Sequence, residues 1–78
     1  MQVTVKLHAS LRPYARSDSN DGLFPLEKTE KATVRDIIRE LGIPPEKVRM
    51  LMLNGRGANI DHVLNDGDRL APENRRGM

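Results

Sequence analysis

The residues that decide the fold are 33–43, TVRDIIRELGI. Thr33 can cap a helix, and Asp36 three residues later completes a capping box, with Asp in the place of the usual Glu. Gly42 supplies the left-handed residue that ends many helices, and Ile43 can pack back on the last turn. One helix face is apolar, with the i, i+3, i+4 and i+7 spacing of Val34, Ile37, Ile38 and Leu41. We therefore predict a helix of about nine or ten residues with one buried face.

Two strands are predicted before this helix. Residues 2–8 alternate between apolar and polar side chains, which is the period of a strand with one buried face. Residues 16–22 contain only polar residues and a final glycine, which favours a mobile loop. Residues 23–26 predict a short second strand, and Pro25 favours a sheet edge because it lacks an N–H.

Further strands are predicted after the helix. Residues 48–53 predict a strand, and the Asn-Gly pair at 54–55 favours a tight type I′ turn into a short return strand at 56–58. Residues 61–64 are expected to form a helical turn or loop, and residue 69 begins the last strand. This order predicts an α+β fold with a mixed sheet of four to five strands and one main helix packed on one face.

Size and composition exclude several classes of protein. The 78 residues allow one small core, and we assign residues 1–72 to the domain and 73–78 to a flexible tail. A net charge of +2, with one Tyr and one Phe, does not support nucleic-acid binding. No apolar run approaches the ~20 residues that cross a bilayer. The amino terminus does not resemble a signal peptide, so a cytoplasmic protein is expected.

Catalysis has little support in the sequence. The absence of Cys excludes disulfides, thiolate metal sites and cysteine nucleophiles. The two histidines, His8 and His62, cannot form a tetrahedral zinc site with sulfur ligands, and we expect both at the surface. We predict no enzyme activity, no cofactor and no metal.

Six segments, in a fixed order, carry a resemblance to a known family. They are VKLHASLR at 5–12, ATVRDII at 32–38, LGI at 41–43, LNGR at 53–56, DHVL at 61–64 and DGDRLA at 66–71. In these segments the chain resembles the small MoaD/ThiS-type sulfur carriers, which share the ubiquitin-like β-grasp fold.

The resemblance implies a carrier and not a catalyst. In that family an adenylating, E1-like enzyme activates a terminal glycine carboxylate, which then becomes a thiocarboxylate. A sulfur-accepting synthase subunit receives the sulfur, for molybdopterin or thiamine biosynthesis. The resemblance therefore implies these two kinds of partner protein.

The tail departs from the family pattern. Residues 72–78 read PENRRGM, which lacks the terminal Gly-Gly and the aromatic-Pro-Pro segment before it. A carrier would need to lose Met78 so that Gly77 could bear the sulfur. Arg75 and Arg76 could then contact acidic groups of the activating enzyme. The alternative is that both arginines are solvated charges on a frayed terminus.

A second hypothesis is a non-carrier ubiquitin-like module that binds a partner through the open face of its sheet. The resemblance implies that Leu51 and Leu53 point to the helix, which leaves Met50 and Met52 on the other face. Methionine suits a docking surface because it is flexible and polarizable. The alternative is that the two methionines fill gaps in the core.

Overall fold

A computed structural model describes residues 1–17 and 19–73 of the chain. Within these residues there are five strands, one α-helix and two short 3-10 segments. The elements are β1 (Gln2–Lys6), a 3-10 segment (Ala9–Tyr14), β2 (Leu23–Glu27), α1 (Val34–Glu40), a second 3-10 segment (Pro45–Lys47), β3 (Met50–Leu53), β4 (Arg56–Gly57) and β5 (Arg69–Glu73).

The five strands form one mixed sheet in the order β2-β1-β5-β3-β4. The first and last strands, β1 and β5, lie side by side and parallel at the centre, and all other pairs are antiparallel. β2 is an edge strand, so Pro25 has the edge position that was predicted for it. The sheet and its single main helix confirm the predicted β-grasp architecture.

The core lies between the helix and one face of the sheet. The strands contribute alternating side chains that are buried, and the helix contributes its apolar stripe. The buried residues of these elements are Val3, Val5, Phe24, Leu26, Val34, Ile37, Ile38, Leu51, Leu53, Leu70 and Pro72. Among the described residues, no helix lies on the opposite face of the sheet.

The helix has the predicted capping. The Asp36 backbone N–H donates to Thr33 Oγ1, and the Thr33 N–H donates to a carboxylate oxygen of Asp36 at 2.9 Å. At the other end, Gly42 has φ of +75° and the Ile43 N–H donates to the Ile38 carbonyl at 3.1 Å. The helix has seven residues and not nine or ten, because Thr33 is extended and Leu41 is the C-cap.

Three predicted strands are shorter than expected, one of them β4, which ends at Gly57 and not at residue 58. β3 begins at Met50 and not at residue 48, because the Val48 N–H closes the second 3-10 segment onto the Pro45 carbonyl. β1 ends at Lys6 and not at residue 8, shortly before Ala9 adopts a left-handed φ of +50°. The predicted Asn-Gly hairpin is present, with positive φ at both Asn54 and Gly55.

The last strand runs one residue past the predicted domain boundary and ends at Glu73. The predicted tail is 73–78, and its residues 74–78 lie outside the described residues. In the described part of the chain, no helix is long and apolar enough to cross a membrane.

Candidate docking face of the sheet

The side of the sheet that faces away from the helix presents a continuous set of side chains. Strand residues that alternate with the core residues must point to this side. We call it the open face, and its central part is formed by Thr4, Lys6, Leu23, Met50, Met52, Arg69 and Ala71. Gln2, Pro25, Glu27 and Glu73 lie on the same side, nearer the ends of the strands.

A concavity of about 470 Å³ lies on the open face. Leu23, Met52 and Ala71 form its apolar part, and they come from β2, β3 and β5. Met52 and Ala71 are direct cross-strand partners. Three strands thus place apolar side chains together at a half-exposed surface, which is the composition of a small docking site.

Two cations rim this concavity, Lys6 and Arg69. Lys6 Nζ donates to the carbonyl of Asp21 at 2.7 Å, and the Asp21 carboxylate pairs with Arg12 at 2.8 Å. Within residues 1–17 and 19–73, the Arg69 guanidinium has no ion-pair partner. No carboxylate lines the concavity, but the Asp21 carboxylate lies 3.9 Å from Lys6 Nζ and partly neutralises it, so the unpaired positive charge is that of Arg69.

The two methionines lie where the sequence placed them. Met50 is 43% exposed and Met52 is half-buried, while Leu51 and Leu53 are buried on the core side. Neither methionine belongs to the apolar core or packs against it. This placement favours the docking hypothesis over the core-filling alternative, although docking by these residues stays a prediction.

The other predicted site residues belong to the carboxyl-terminal tail. Arg75, Arg76, Gly77 and Met78 lie beyond the described residues. The nearest described residue is Glu73, which pairs with Met50 across β5 and β3. The last described residue before the tail therefore lies beside the exposed methionine.

The described residues contain no group of three or more His, Cys, Asp or Glu side chains that could hold a metal ion. His8 and His62 are exposed, as predicted.

Sequence reasoning missed Leu23, Lys6, Arg69 and Ala71 as parts of the site. They lie on three strands far apart in the chain, and only the sheet order brings them together. Alternation within each strand was an available signal, because each of the four occupies a position out of phase with the core.

Comparisons with known proteins identify a family and two similar structures. A family model described as Mut7-C ubiquitin matches residues 1–76. No curated protein sequence matches significantly. The structure of SAMP1 from Haloferax volcanii is similar at 22% identity and a TM-score of 0.66, with 99% of this chain and 100% of that chain covered. A putative molybdopterin converting factor, subunit 1, from Pyrococcus furiosus is similar at 27% identity and a TM-score of 0.64, with 92% and 97% covered.

Proposed function

The chain belongs to the Mut7-C ubiquitin family, and on that premise we propose that it acts by docking onto partner proteins through the open face. The match confirms the predicted ubiquitin-like family of the MoaD/ThiS type. The observation that carries the proposal is the apolar concavity at Leu23, Met52 and Ala71 with cations alone at its rim.

The chemistry of the open face defines the partner surface. Partly exposed methionine can repack against an apolar anchor of a partner. Lys6 and Arg69 favour carboxylates around that anchor, which would orient the complex and speed its formation. We therefore expect a partner with an apolar knob surrounded by acidic residues.

A second proposal is sulfur carriage at the tail. The Pyrococcus protein supports it, because a putative molybdopterin converting factor subunit is similar over nearly its whole length. In this proposal an adenylating enzyme holds the open face and receives the tail, which follows Glu73, the cross-strand partner of Met50. Removal of Met78 would expose the Gly77 carboxylate for adenylation and conversion to a thiocarboxylate. A tail that ends in glycine can enter a narrow channel because it has no Cβ.

One experiment separates the two proposals. An adenylating enzyme from the native organism is incubated with ATP and the full chain, a form ending at Gly77, or a form ending in Gly-Gly, and pyrophosphate exchange is measured. Each form is also prepared as the Met50→Asp, Met52→Asp double variant. Carriage predicts activation of the form ending at Gly77, and docking predicts that the double variant lowers activation or binding of every form.

The outcomes can be told apart. Activation of the Gly-Gly form alone would reject carriage by the natural tail and retain docking. Binding to the enzyme that the double variant leaves unchanged would reject the open face as the docking site. A matched control is Arg56→Asp on β4, which changes an exposed residue outside the concavity.

A further inference from the structure

A second apolar groove lies on the helix side of the molecule, with a volume of about 320 Å³. Its floor is formed by the buried side chains of Ile38 and Ile43, and Ile60 is a half-buried wall. The remaining lining residues are Arg35, Arg39, Gly42, Pro44 and Pro45.

The walls of this groove are fixed by the backbone. Gly42 and the hydrogen bond from the Ile43 N–H to the Ile38 carbonyl set the turn that leaves the helix. The two prolines restrict the next residues. On the other side, the Arg35 N–H donates to the Ile60 carbonyl at 2.8 Å, which ties that loop to the helix. A groove held open in this way needs little reorganisation to accept a ligand.

The charged residues that line the groove are both arginines. The Arg35 guanidinium pairs with Asp61 at 3.0 Å and is partly neutralised. The exposed Arg39 guanidinium has no hydrogen-bond or ion-pair partner in the part of the chain that the structure describes. One cation beside an apolar floor is therefore available to a carboxylate.

The groove is separate from the open face. It is built from α1, the turn after it and residue 60, and the helix covers the other side of the sheet. The two concavities nevertheless share one chemistry, because each has an apolar floor and the charged residues that line it are all cations. A third concavity, near the start of α1, is lined by Glu27, Glu30 and Asp36 together with lysines, so this pattern is not general.

We propose that this groove is a second docking site, which takes an aliphatic side chain of an acidic protein segment while Arg39 pairs with a neighbouring carboxylate. The volume is at the lower limit of ~300–1,000 Å³ for ligand pockets, so it suits one anchor side chain and not a whole cofactor. The proposal does not depend on the open-face proposal. If both sites are used, the chain can bridge two acidic partners at once.

The probe is a blocked hexapeptide of five glutamates and one leucine, titrated into the isotope-labelled full chain while backbone amide NMR signals are followed. We expect saturable shifts at Ile38, Ile43 and Ile60, with a dissociation constant on the order of 1 mM. The same peptide with Ala for Leu, the same peptide with Gln for Glu, and inorganic phosphate are the ligand controls. Each control should cause much smaller shifts at these three residues, because binding requires both the leucine side chain and the glutamate carboxylates.

The protein variant is Arg39→Glu, and we expect binding to weaken about tenfold because like charges then face each other. The affinity of Arg39→Gln should lie between those of the natural chain and Arg39→Glu. This variant also avoids a new repulsion with Asp36. Arg56→Glu is the matched control, since it reverses a charge outside both grooves and should bind as the natural chain does. The amide spectrum reports whether each variant is folded.

Three results would overturn the proposal. They are shifts confined to the open face, equal shifts with the Gln peptide or with phosphate, and unchanged affinity in both Arg39 variants. None of them counts against the open-face proposal, and shifts confined to the open face would support it. A Met52→Asp chain should still bind the peptide at the groove, which separates the two sites directly.

Discussion

Asn54 and Asp68 are joined by a side-chain hydrogen bond that fixes the β3–β4 turn to the start of β5. Asn54 Nδ2 donates to Asp68 Oδ1 at 2.9 Å. The other oxygen of each side chain also accepts a hydrogen bond. Asn54 Oδ1 accepts from the Arg69 N–H, and Asp68 Oδ2 accepts from the Asn65 N–H. Asp68 is a buried charged residue, and this network satisfies its carboxylate. It also sets the backbone of Arg69 at the rim of the open face.

Removal of the Asn54 side chain should therefore destabilise the fold. Asn54→Gly keeps the positive φ of +53° accessible and removes both hydrogen bonds. We expect a loss of about 1–2 kcal/mol in the free energy of unfolding, measured by urea denaturation. Asn54→Ala should cost about 1–2 kcal/mol more, because Ala adds left-handed strain. Equal stability of the Gly variant and the natural chain would show that the network contributes nothing.

Gly22 should tolerate no side chain. A Cβ at this position would lie 2.3 Å from the Leu7 carbonyl oxygen, and φ is +84°. Gly67 is the matched control, since its φ is +88° and a Cβ there would meet nothing within 4 Å. We expect Gly67→Ala to cost about 1–2 kcal/mol from strain alone. Gly22→Ala should cost clearly more in the same thermal or urea unfolding measurement, and equal losses would contradict the close approach.

The features that the sequence predicted are local in the chain. The capping box of Thr33 and Asp36, the glycine at 42 and the Asn-Gly turn each depend on residues within about four positions. Their geometry is set by backbone sterics and short hydrogen bonds, so neighbouring residues suffice to predict them. The alternation in β1 also predicted its buried face, because one face of the strand meets the core.

The features that sequence reasoning missed depend on distant contacts. The close approach of Gly22 to Leu7 spans fifteen positions, and nothing near Gly22 distinguishes it from an ordinary loop glycine. The helix-side groove needs Ile60 beside Arg39. The 3-10 segment Ala9–Tyr14 was not predicted, since its single buried residue, Leu11, gives no periodic pattern. Such sites follow from the topology and cannot be read from spacing.

Acid should weaken the amino-terminal end of the helix through Asp36. The pKa of Asp36 is lowered below its usual value. The largest cause is the hydrogen bond from the Thr33 backbone N–H, and the second is the hydrogen bond with the Thr33 side chain. Because the pKa of Asp36 is lower in the folded chain, the ionised carboxylate stabilises the fold at pH values above the unfolded carboxyl pKa of about 4. This stability is lost as the pH falls through the pKa of the folded chain. In Asp36→Asn this part of the pH dependence should disappear. Unfolding curves between about pH 2 and pH 6 for both chains measure it, and parallel pH profiles would reject the assignment.

Ala9 offers a substitution that should stabilise the protein. Its φ is +50°, a left-handed conformation that costs an L-residue about 1–2 kcal/mol but costs glycine little. Ala9→Gly removes that strain and also increases the entropy of the unfolded chain by an amount equivalent to about 0.5–1 kcal/mol. We therefore expect a net gain of up to about 1 kcal/mol in the free energy of unfolding, measured in urea. Ala15→Gly is the control, because Ala15 has φ of −69° and glycine relieves nothing there. That variant should be less stable than the natural chain, and a loss of the same size at both positions would show that Ala9 is unstrained.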